Sequence, residues 1–176
     1  MNKEAKRILK KWAKQSKIGY VKQAHVADVG SFYVNGSVKE FFEDEGIDCK
    51  VTGFDIVDGK NVDVVIDSGV IPEEHRNKFK FITCVGTFDY GSNYDIINEI
   101  IDLSKSEADI YLTLAKNKKD GNKRTVFHYK KNKEVMTHFE FKKFIKKTDV
   151  LKIELYIRDK DKNGAYHYFL KKNNNL

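Results

Sequence analysis

Three aspartates stand at the ends of short apolar runs, a spacing that could gather their side chains around one ligand. Asp28 lies two residues before Gly30, Asp55 closes the run VTGFD, and Asp67 closes VDVVID. In an open parallel sheet, ligands bind beyond the carboxyl ends of the strands, close to the turn after the first strand. A carboxylate that ends the second strand can accept hydrogen bonds from both hydroxyls of a ribose. The third carboxylate can meet an amino group on the attached base, so the pattern predicts a nucleoside-like ligand.

The turn after Asp28 is poor in glycine, which narrows the choice of ligand. A dinucleotide requires the spacing G-x-G-x-x-G, because the backbone must approach a pyrophosphate at a helix N-terminus. Only Gly30 and Gly36 occur in this turn. S-adenosylmethionine (SAM) has no phosphate and carries an ammonium, a sulfonium and a carboxylate. The Asp28 carboxylate and the carbonyl groups of the turn suit its cationic amino-acid head, and N–H groups of the turn suit its carboxylate.

The runs that carry these aspartates predict an α/β fold. Residues 26–29, 51–56 and 62–66 are typical of buried strands, and a helical spacing of apolar residues over 34–42 separates the first two. Strands that alternate with helices and short loops indicate a parallel, doubly wound sheet. An amphipathic helix over 3–14 is predicted to dock its apolar stripe on that sheet.

The rest of the chain continues this alternation. We expect a short helix over 71–77, opened by the single proline, Pro72. A capping box of Thr137 and Glu140 opens the last predicted helix. The remaining predicted elements are strands over 79–85 and 109–115, helices over 94–103 and 138–147, and a terminal strand pair over 151–158 and 165–170.

Four motifs in the first half of the chain carry a family resemblance. The segments VADVGSFYVNGSVKEFF and VTGFDIVDGKNVDVVID contain them in order, at residues 28–31, 35–37, 53–56 and 62–65. This pattern resembles the methyltransferase-domain family of class I SAM-dependent methyltransferases. The resemblance implies a Rossmann-like sheet of seven mostly parallel strands, with an antiparallel C-terminal strand and helices on both faces. It also implies SAM as the cosubstrate and methyl transfer as the activity.

The resemblance assigns parts of the cofactor to individual residues. It places Asp28 and Gly30 at the methionine part, Asp55 at the ribose, and Asp67 with Ser68 at the adenine edge. Their neighbours in the motifs are predicted to bind the cofactor as well, namely Ser31, Phe32 and Ile56. Phe32 lies inside the turn itself, where its ring is expected either to cover the ligand or to pack against the N-terminal helix.

The loop after the fourth strand is the predicted catalytic segment. In class I methyltransferases it faces the acceptor, and a group there must position the nucleophile and redirect its proton. Asp89 and Tyr90 are the candidates for this role, although a turn aspartate beside a packing aromatic ring has the same pattern. The loop lacks the Pro-Pro and Pro-Cys motifs of DNA methyltransferases, which argues against those activities. In a chain this short, the expected acceptor is a small molecule, a sugar, or an exposed nucleotide or protein end. A non-catalytic SAM- or nucleoside-binding module and an enzyme that cleaves SAM stay open as alternatives.

The charge of the chain raises the question of a nucleic-acid partner. The formal net charge is +7, carried mostly by lysines spread along the sequence, which is typical of a solvated surface. A predicted lysine-rich hairpin over 116–136 interleaves Arg124, Phe127 and Tyr129 with lysines. Basic residues alternating with aromatic ones can bind single-stranded nucleic acid, so this hairpin is a candidate contact.

Length and composition limit the remaining possibilities. The 176 residues predict one domain over 1–176, with a flexible polar tail over 171–176. No apolar run is long enough to cross a membrane, and no signal peptide is recognisable. Cys49 and Cys84 are predicted to be reduced residues of a cytoplasmic protein, and neither a disulfide nor a metal site is expected.

Overall fold

The computed structural model describes residues 1, 3–32, 36–66, 70–89, 93–114, 136–158 and 165–174, with the backbone alone for 89, 93 and 94. These residues form a seven-stranded sheet flanked by helices. The helices are α1 (Lys3–Gln15), α2 (Val38–Asp44), α3 (Asn93–Leu103) and α4 (His138–Thr148). The strands are β1 (Ala24–Val29), β2 (Cys49–Asp55), β3 (Val64–Val65), β4 (Phe79–Cys84), β5 (Ser104–Leu114), β6 (Leu151–Arg158) and β7 (Tyr166–Lys172).

The strand order is β3-β2-β1-β4-β5-β7-β6. Neighbouring strands from β3 to β5 pair in parallel, and β7 runs antiparallel to both β5 and β6. The order reverses between β2-β1 and β4, so the carboxyl ends of β1 and β4 flank the position where such sheets bind ligands. The prediction of a mostly parallel sheet of seven strands with an antiparallel C-terminal strand is therefore confirmed.

Two apolar clusters cover the two faces of the sheet. On one face, α1 packs through Ile8, Leu9 and Trp12 beside α2, with the Trp12 ring 5.9 Å from the ring of Tyr111. On the other face, the isoleucines of α3 pack beside the first turns of α4, where Phe141 is fully buried. The apolar stripe of α1 is thus docked on the sheet, as its amphipathic pattern predicts.

Capping boxes stabilise the first turns of α2 and α4. The Ser37 side chain accepts a hydrogen bond from the backbone of Glu40, whose carboxylate accepts one from the Ser37 backbone. Thr137 and Glu140 form the same reciprocal pair at the start of α4, which confirms the predicted capping box. These caps satisfy N–H groups that the first helical turn leaves unpaired.

Several element boundaries differ from the sequence-based expectation. β3 consists of only Val64–Val65, and the segment opened by Pro72 forms a single 3-10 turn over Glu73–His75. β5 begins at Ser104, directly after α3, because pairing with Phe79 draws the expected turn residues into the strand. Local apolar patterns do not reveal this extension, since residues 104–107 are polar or charged.

The predicted flexible tail over 171–176 begins later than expected. Lys171 and Lys172 belong to β7. The Lys172 ammonium group donates hydrogen bonds to the carbonyl groups of Ile101 and Ser104, at 3.0 and 2.7 Å. Asn173 donates to the carbonyl group of Val150. These contacts anchor residues that look like a polar tail in the sequence, while 175–176 lie outside the described residues.

Candidate functional site

Asp28 is a buried carboxylate near the carboxyl end of β1. Its side chain is 6 % exposed, and its Oδ1 atom accepts a hydrogen bond of 2.7 Å from the hydroxyl of Thr83 on β4. Burial raises the pKa of Asp28 to about 7, against the lowering effect of the Thr83 hydrogen bond, and the charge of Asp55 raises it further. The first and second predicted aspartates are therefore close enough to interact electrostatically.

Asp55 holds together the loops that follow β1 and β2. Its Oδ2 atom accepts a hydrogen bond of 3.0 Å from the backbone N–H of Phe32, and its Oδ1 atom accepts one of 3.2 Å from Val57. The carboxylate is 5 % exposed. These backbone contacts orient the Asp55 carboxylate between the turn after β1 and the loop after β2.

The loop between β2 and β3 is packed against the turn after β1. The Phe32 ring covers Gly59, where an added Cβ atom would lie 2.9 Å from the ring's Cδ2 atom. An added Cβ at Gly53 would overlap the Asn61 carbonyl group and lie 2.8 Å from the Ser31 Cβ atom. Phe32 therefore packs on the loop after β2, and its role in binding the cofactor stays a prediction.

Gly30 forms the contact between the β1 turn and the loop after β4. Its φ angle is +75°, and an added Cβ would overlap the Thr87 side chain, with the Thr87 Cβ atom 2.6 Å away. The Thr87 hydroxyl donates a hydrogen bond of 3.0 Å to the carbonyl group of Val29. The two loops on either side of the order reversal are thus in direct contact.

Two further features of the site are typical of a ligand-binding surface. The Ser31 hydroxyl is buried and has no hydrogen-bond partner among the described residues. Ile56, directly after Asp55, is 52 % exposed, which is unusual for an isoleucine at the end of a buried strand. The exposed side chain of Ile56, next to Asp55 in the sequence, could contact a flat apolar part of a ligand.

Solved structures show which proteins share this architecture. A SAM-dependent methyltransferase from Aquifex aeolicus superposes with a TM-score of 0.63 at 16 % identity, covering 94 % of this chain and 88 % of its own. A candidate sarcosine dimethylglycine methyltransferase from Galdieria sulphuraria gives 0.71 at 10 % identity, with 98 % and 85 % covered. This chain has the class I SAM-dependent methyltransferase fold.

The class I fold also occurs in a neighbour with a different activity. The 4+2 cyclase SpnF gives a TM-score of 0.64 at 11 % identity, covering 96 % of this chain and 81 % of its own. No protein-family model and no curated protein matches the sequence. Within the described ranges, no helix is long and apolar enough to cross a membrane.

Some of the predicted site residues lie outside the described part of the chain. These are Asp67, Ser68 and Tyr90, together with the hairpin expected over 116–136 except Met136. Asp89 ends a 3-10 turn that starts at Thr87, and only its backbone is described. The roles of Asp89 and Tyr90 stay predictions. Among the described residues, no three His, Cys, Asp or Glu side chains are arranged to bind a metal.

Three polar residues, Thr83, Thr87 and Glu99, were not identified from the sequence as neighbours of the candidate site. Thr83 and Thr87 adjoin Asp28 and Gly30, but they are distant in sequence and belong to no motif. Glu99 on α3 is 7 % exposed. Burial raises the pKa of Glu99 to about 7, with smaller contributions from Asp95, Asp55 and Asp102. Glu99 lies on the same side of α3 as Asp95 and Asp102, so the sequence pattern gives no signal that it is buried.

The raised pKa of Asp28 predicts how stability depends on pH. In the unfolded chain the carboxyl group ionises near its ordinary pKa of 3.8, whereas in the folded protein its pKa is about 7. The folded state therefore binds the proton more tightly, and stability falls as pH rises from about 4 to about 7. We expect Asp28→Asn, which can still accept the Thr83 hydrogen bond, to be about 1–2 kcal/mol more stable than the wild type at pH 8. Urea unfolding at pH 5 and pH 8 measures this difference.

A matched variant separates this effect from a general change in charge. Asp58→Asn removes an exposed acid from the same end of the sheet and should leave the slope of stability against pH unchanged. Because the pKa of Glu99 is also raised to about 7, the stability of Asp28→Asn should still fall as pH rises, but less steeply than that of the wild type. If Asp28→Asn is less stable than the wild type at pH 8, the ionised carboxylate is stabilising and our interpretation of its burial is wrong.

Proposed function

We propose that this protein binds SAM and transfers its methyl group to an acceptor that is a small molecule, a sugar or a nucleotide. The observation that carries the proposal is the coupled pair Asp28 and Asp55, buried beside Gly30 at the order reversal of a class I sheet. A buried carboxylate with a raised pKa gains from a nearby cation, which restores its charged form. The cationic methionine end of SAM has that property.

The residues around Asp28 and Asp55 suit the remaining parts of SAM. Asp55 would accept hydrogen bonds from the ribose hydroxyls, and Ile56 offers an exposed apolar surface for the adenine face. Phe32 and Gly59, in contact across the two loops, would set the width of the entrance. Asp67 and Ser68 complete this proposed set at the adenine edge.

Methyl transfer from SAM requires the protein mainly to position the acceptor and to redirect its proton. SAM, when bound, supplies a methyl group activated by a sulfonium, and the departing thioether takes no proton. The chain must hold the acceptor in line and redirect its proton, for which the loop after β4 is suitably placed. We assign Asp89 and Tyr90 to that role. Thr87 supports it by fixing this loop against Gly30 through its hydrogen bond to Val29.

A second function is suggested by a neighbour that shares the fold. SpnF is a cyclase, so the fold also serves proteins other than methyltransferases, and binding of SAM or a related nucleoside without methyl transfer is the alternative. Cleavage of SAM is a further alternative. Cytoplasmic localisation is a further part of this proposal.

One series of measurements separates these functions. Calorimetry with SAM and with S-adenosylhomocysteine should show binding of both ligands at one site. Incubation with SAM labelled on its methyl group, together with pooled small molecules and RNA, should then transfer label to an acceptor. Binding without transfer supports the non-catalytic module, and breakdown of SAM without an acceptor supports cleavage. If neither ligand binds, all three functions are wrong.

A further inference from the structure

An aromatic cluster lies at the far end of the sheet from α2, around the first residue of α4. His138 stacks on Tyr166 with ring centroids 3.9 Å apart and planes 13° apart. Its ring is also 5.2 Å from that of Tyr156 and 5.8 Å from that of Tyr168. A hydrogen bond between His138 Nδ1 and the Tyr168 hydroxyl fixes the imidazole ring. We call His138, Tyr156, Tyr166 and Tyr168 the His138 cluster.

The His138 cluster is open to solvent at its outer edge. Tyr156 on β6 is 43 % exposed, and Phe139, the next residue along α4, is 80 % exposed. What distinguishes these exposed rings from a single exposed aromatic side chain is that they adjoin a cluster of further aromatic rings. Both belong to rigid elements, since Tyr156 pairs with Tyr168 in the sheet and Phe139 lies in the capped first turn of α4. The cluster therefore presents preformed flat surfaces.

Positive charge accompanies these rings. The Lys142 ammonium group lies 4.9 Å from the centre of the Tyr156 ring. On α4, His138 and Phe139 are each followed four residues later by a lysine, Lys142 and Lys143, so that rings and cations share the same helix faces. Burial and the nearby Lys142 lower the pKa of His138, which favours a neutral ring for stacking at neutral pH.

The acidic residues nearby do not cancel this charge. Between Thr137 and Arg158 the chain has six basic and three acidic residues. Glu140 is engaged by the backbone and hydroxyl of Thr137, and Glu154 pairs with Lys152 at 2.9 Å. Arg158 is exposed and lies two residues beyond Tyr156 on the same side of β6. The surface is therefore both aromatic and net positive.

We infer that this face of α4 and β6, comprising the His138 cluster with Phe139, Lys142, Lys143 and Arg158, binds single-stranded nucleic acid. Bases would stack on the exposed parts of the Tyr156 and Phe139 rings, and the lysines with Arg158 would contact the phosphates. Stacking on aromatic side chains beside a basic groove is the general mode for unpaired strands, because every base has a flat face. A duplex hides those faces, so it should bind less well.

The position of this surface links it to the candidate site. Tyr166 pairs with Leu114 at the carboxyl end of β5, so the His138 cluster lies at the same edge of the sheet as the loop after β4. Two strand spacings, about 10 Å, separate β4 from β7. A strand held here would bring a neighbouring nucleotide towards the proposed methyl donor. This last step depends on the proposed function, whereas binding of the strand does not.

Fluorescence anisotropy with labelled oligonucleotides tests the inference without SAM. The probes are oligouridine RNA and oligothymidine DNA of about 12 nucleotides, with a duplex of the same length for comparison. We expect both single strands to bind more tightly than the duplex. Tyr156→Ala and Phe139→Ala should each raise Kd about tenfold, and Lys142→Ala should reduce the salt dependence by about one phosphate contact.

A matched control distinguishes stacking from general attraction to a basic protein. Tyr20 is 89 % exposed between Lys17 and Lys22, far from α4 in the sequence, and Tyr20→Ala should leave Kd unchanged. The inference is overturned if no oligonucleotide binds at low salt, or if duplex binds as tightly as single strands. It is also overturned if Tyr156→Ala and Phe139→Ala bind as the wild type does. Phe139-dependent binding to phosphatidylserine vesicles, without oligonucleotide binding, would show a membrane surface instead.

Discussion

Replacing Gly30 by alanine should destabilise the protein by about 3 kcal/mol. Part of this loss comes from the positive φ angle of +75°, which costs an L-residue with a side chain roughly 1–2 kcal/mol. The rest comes from overlap of the new Cβ with the Thr87 side chain, since forcing an atom into a packed site costs about 1–3 kcal/mol. Urea unfolding of the wild type and of Gly30→Ala measures the sum.

Two further variants separate the strain from the overlap. Gly46 has a φ angle of +64° and nothing within 4 Å of an added Cβ, so Gly46→Ala should lose only about 1 kcal/mol. Thr87→Gly removes the atoms that the new Cβ would meet, and a double-mutant cycle with Gly30→Ala should recover the steric part. If Gly30→Ala and Gly46→Ala lose the same free energy of unfolding, the turn after β1 and the loop after β4 move apart easily.

Replacing Asp55 by alanine should weaken SAM binding about 10- to 100-fold. Hydrogen bonds to a charged group contribute about 1.5–3 kcal/mol each, and every 1.4 kcal/mol corresponds to a factor of ten in Kd. Asp55 also accepts hydrogen bonds from the backbone N–H groups of Phe32 and Val57, so the variant disturbs two loops that would surround the ligand. Calorimetry with SAM, below the unfolding temperature of the variant, gives the affinity.

The control for Asp55 is a neighbouring aspartate with a similar structural task. Asp63 accepts a hydrogen bond of 2.7 Å from the Gly53 backbone N–H and is exposed, so Asp63→Ala disturbs the same loop without removing a proposed ligand contact. We expect its SAM affinity to match the wild type. If Asp63→Ala loses as much affinity as Asp55→Ala, the effect comes from loop order. If Asp55→Ala is folded and binds SAM normally, the ribose assignment is wrong.

Much of the fold is predictable from local patterns in the sequence. The stripe of Trp12 and its neighbours, the Thr137 cap and the buried runs of β1, β2 and β4 each report a single element, and the structure contains all of them. The four motifs of the family resemblance, taken in their order along the chain, predict how the strands are connected in the sheet. The start of β5 could not be predicted from local patterns, because its polar first residues join the sheet only through pairing with β4. No alternation of apolar and polar residues in the sequence indicates that pairing.

The candidate site is predictable only where a motif marks it. Asp28, Gly30 and Asp55 are recognisable from their spacing, and both carboxylates are buried near the carboxyl ends of neighbouring strands. Thr83 and Thr87 become neighbours of Asp28 and Gly30 only when β4 pairs with β1. The packing of Phe32 on Gly59 is likewise a contact between loops. Sequence spacing therefore identifies the groups that carry charge, and the tertiary contacts decide which of them are buried.

The position of β7 constrains the order in which a growing chain can fold. β7 follows β6 in the sequence but lies between β5 and β6 in the sheet. While the ribosome is still making residues 166–172, β6 has no partner strand, and the Leu112 and Leu114 edge of β5 is uncovered. Because translation adds only about 5–20 residues each second, nascent chains spend time with these two edges unpaired. A pause in translation shortly before β7 would prolong that state, and trigger factors or other chaperones that cover apolar edges would be most useful there.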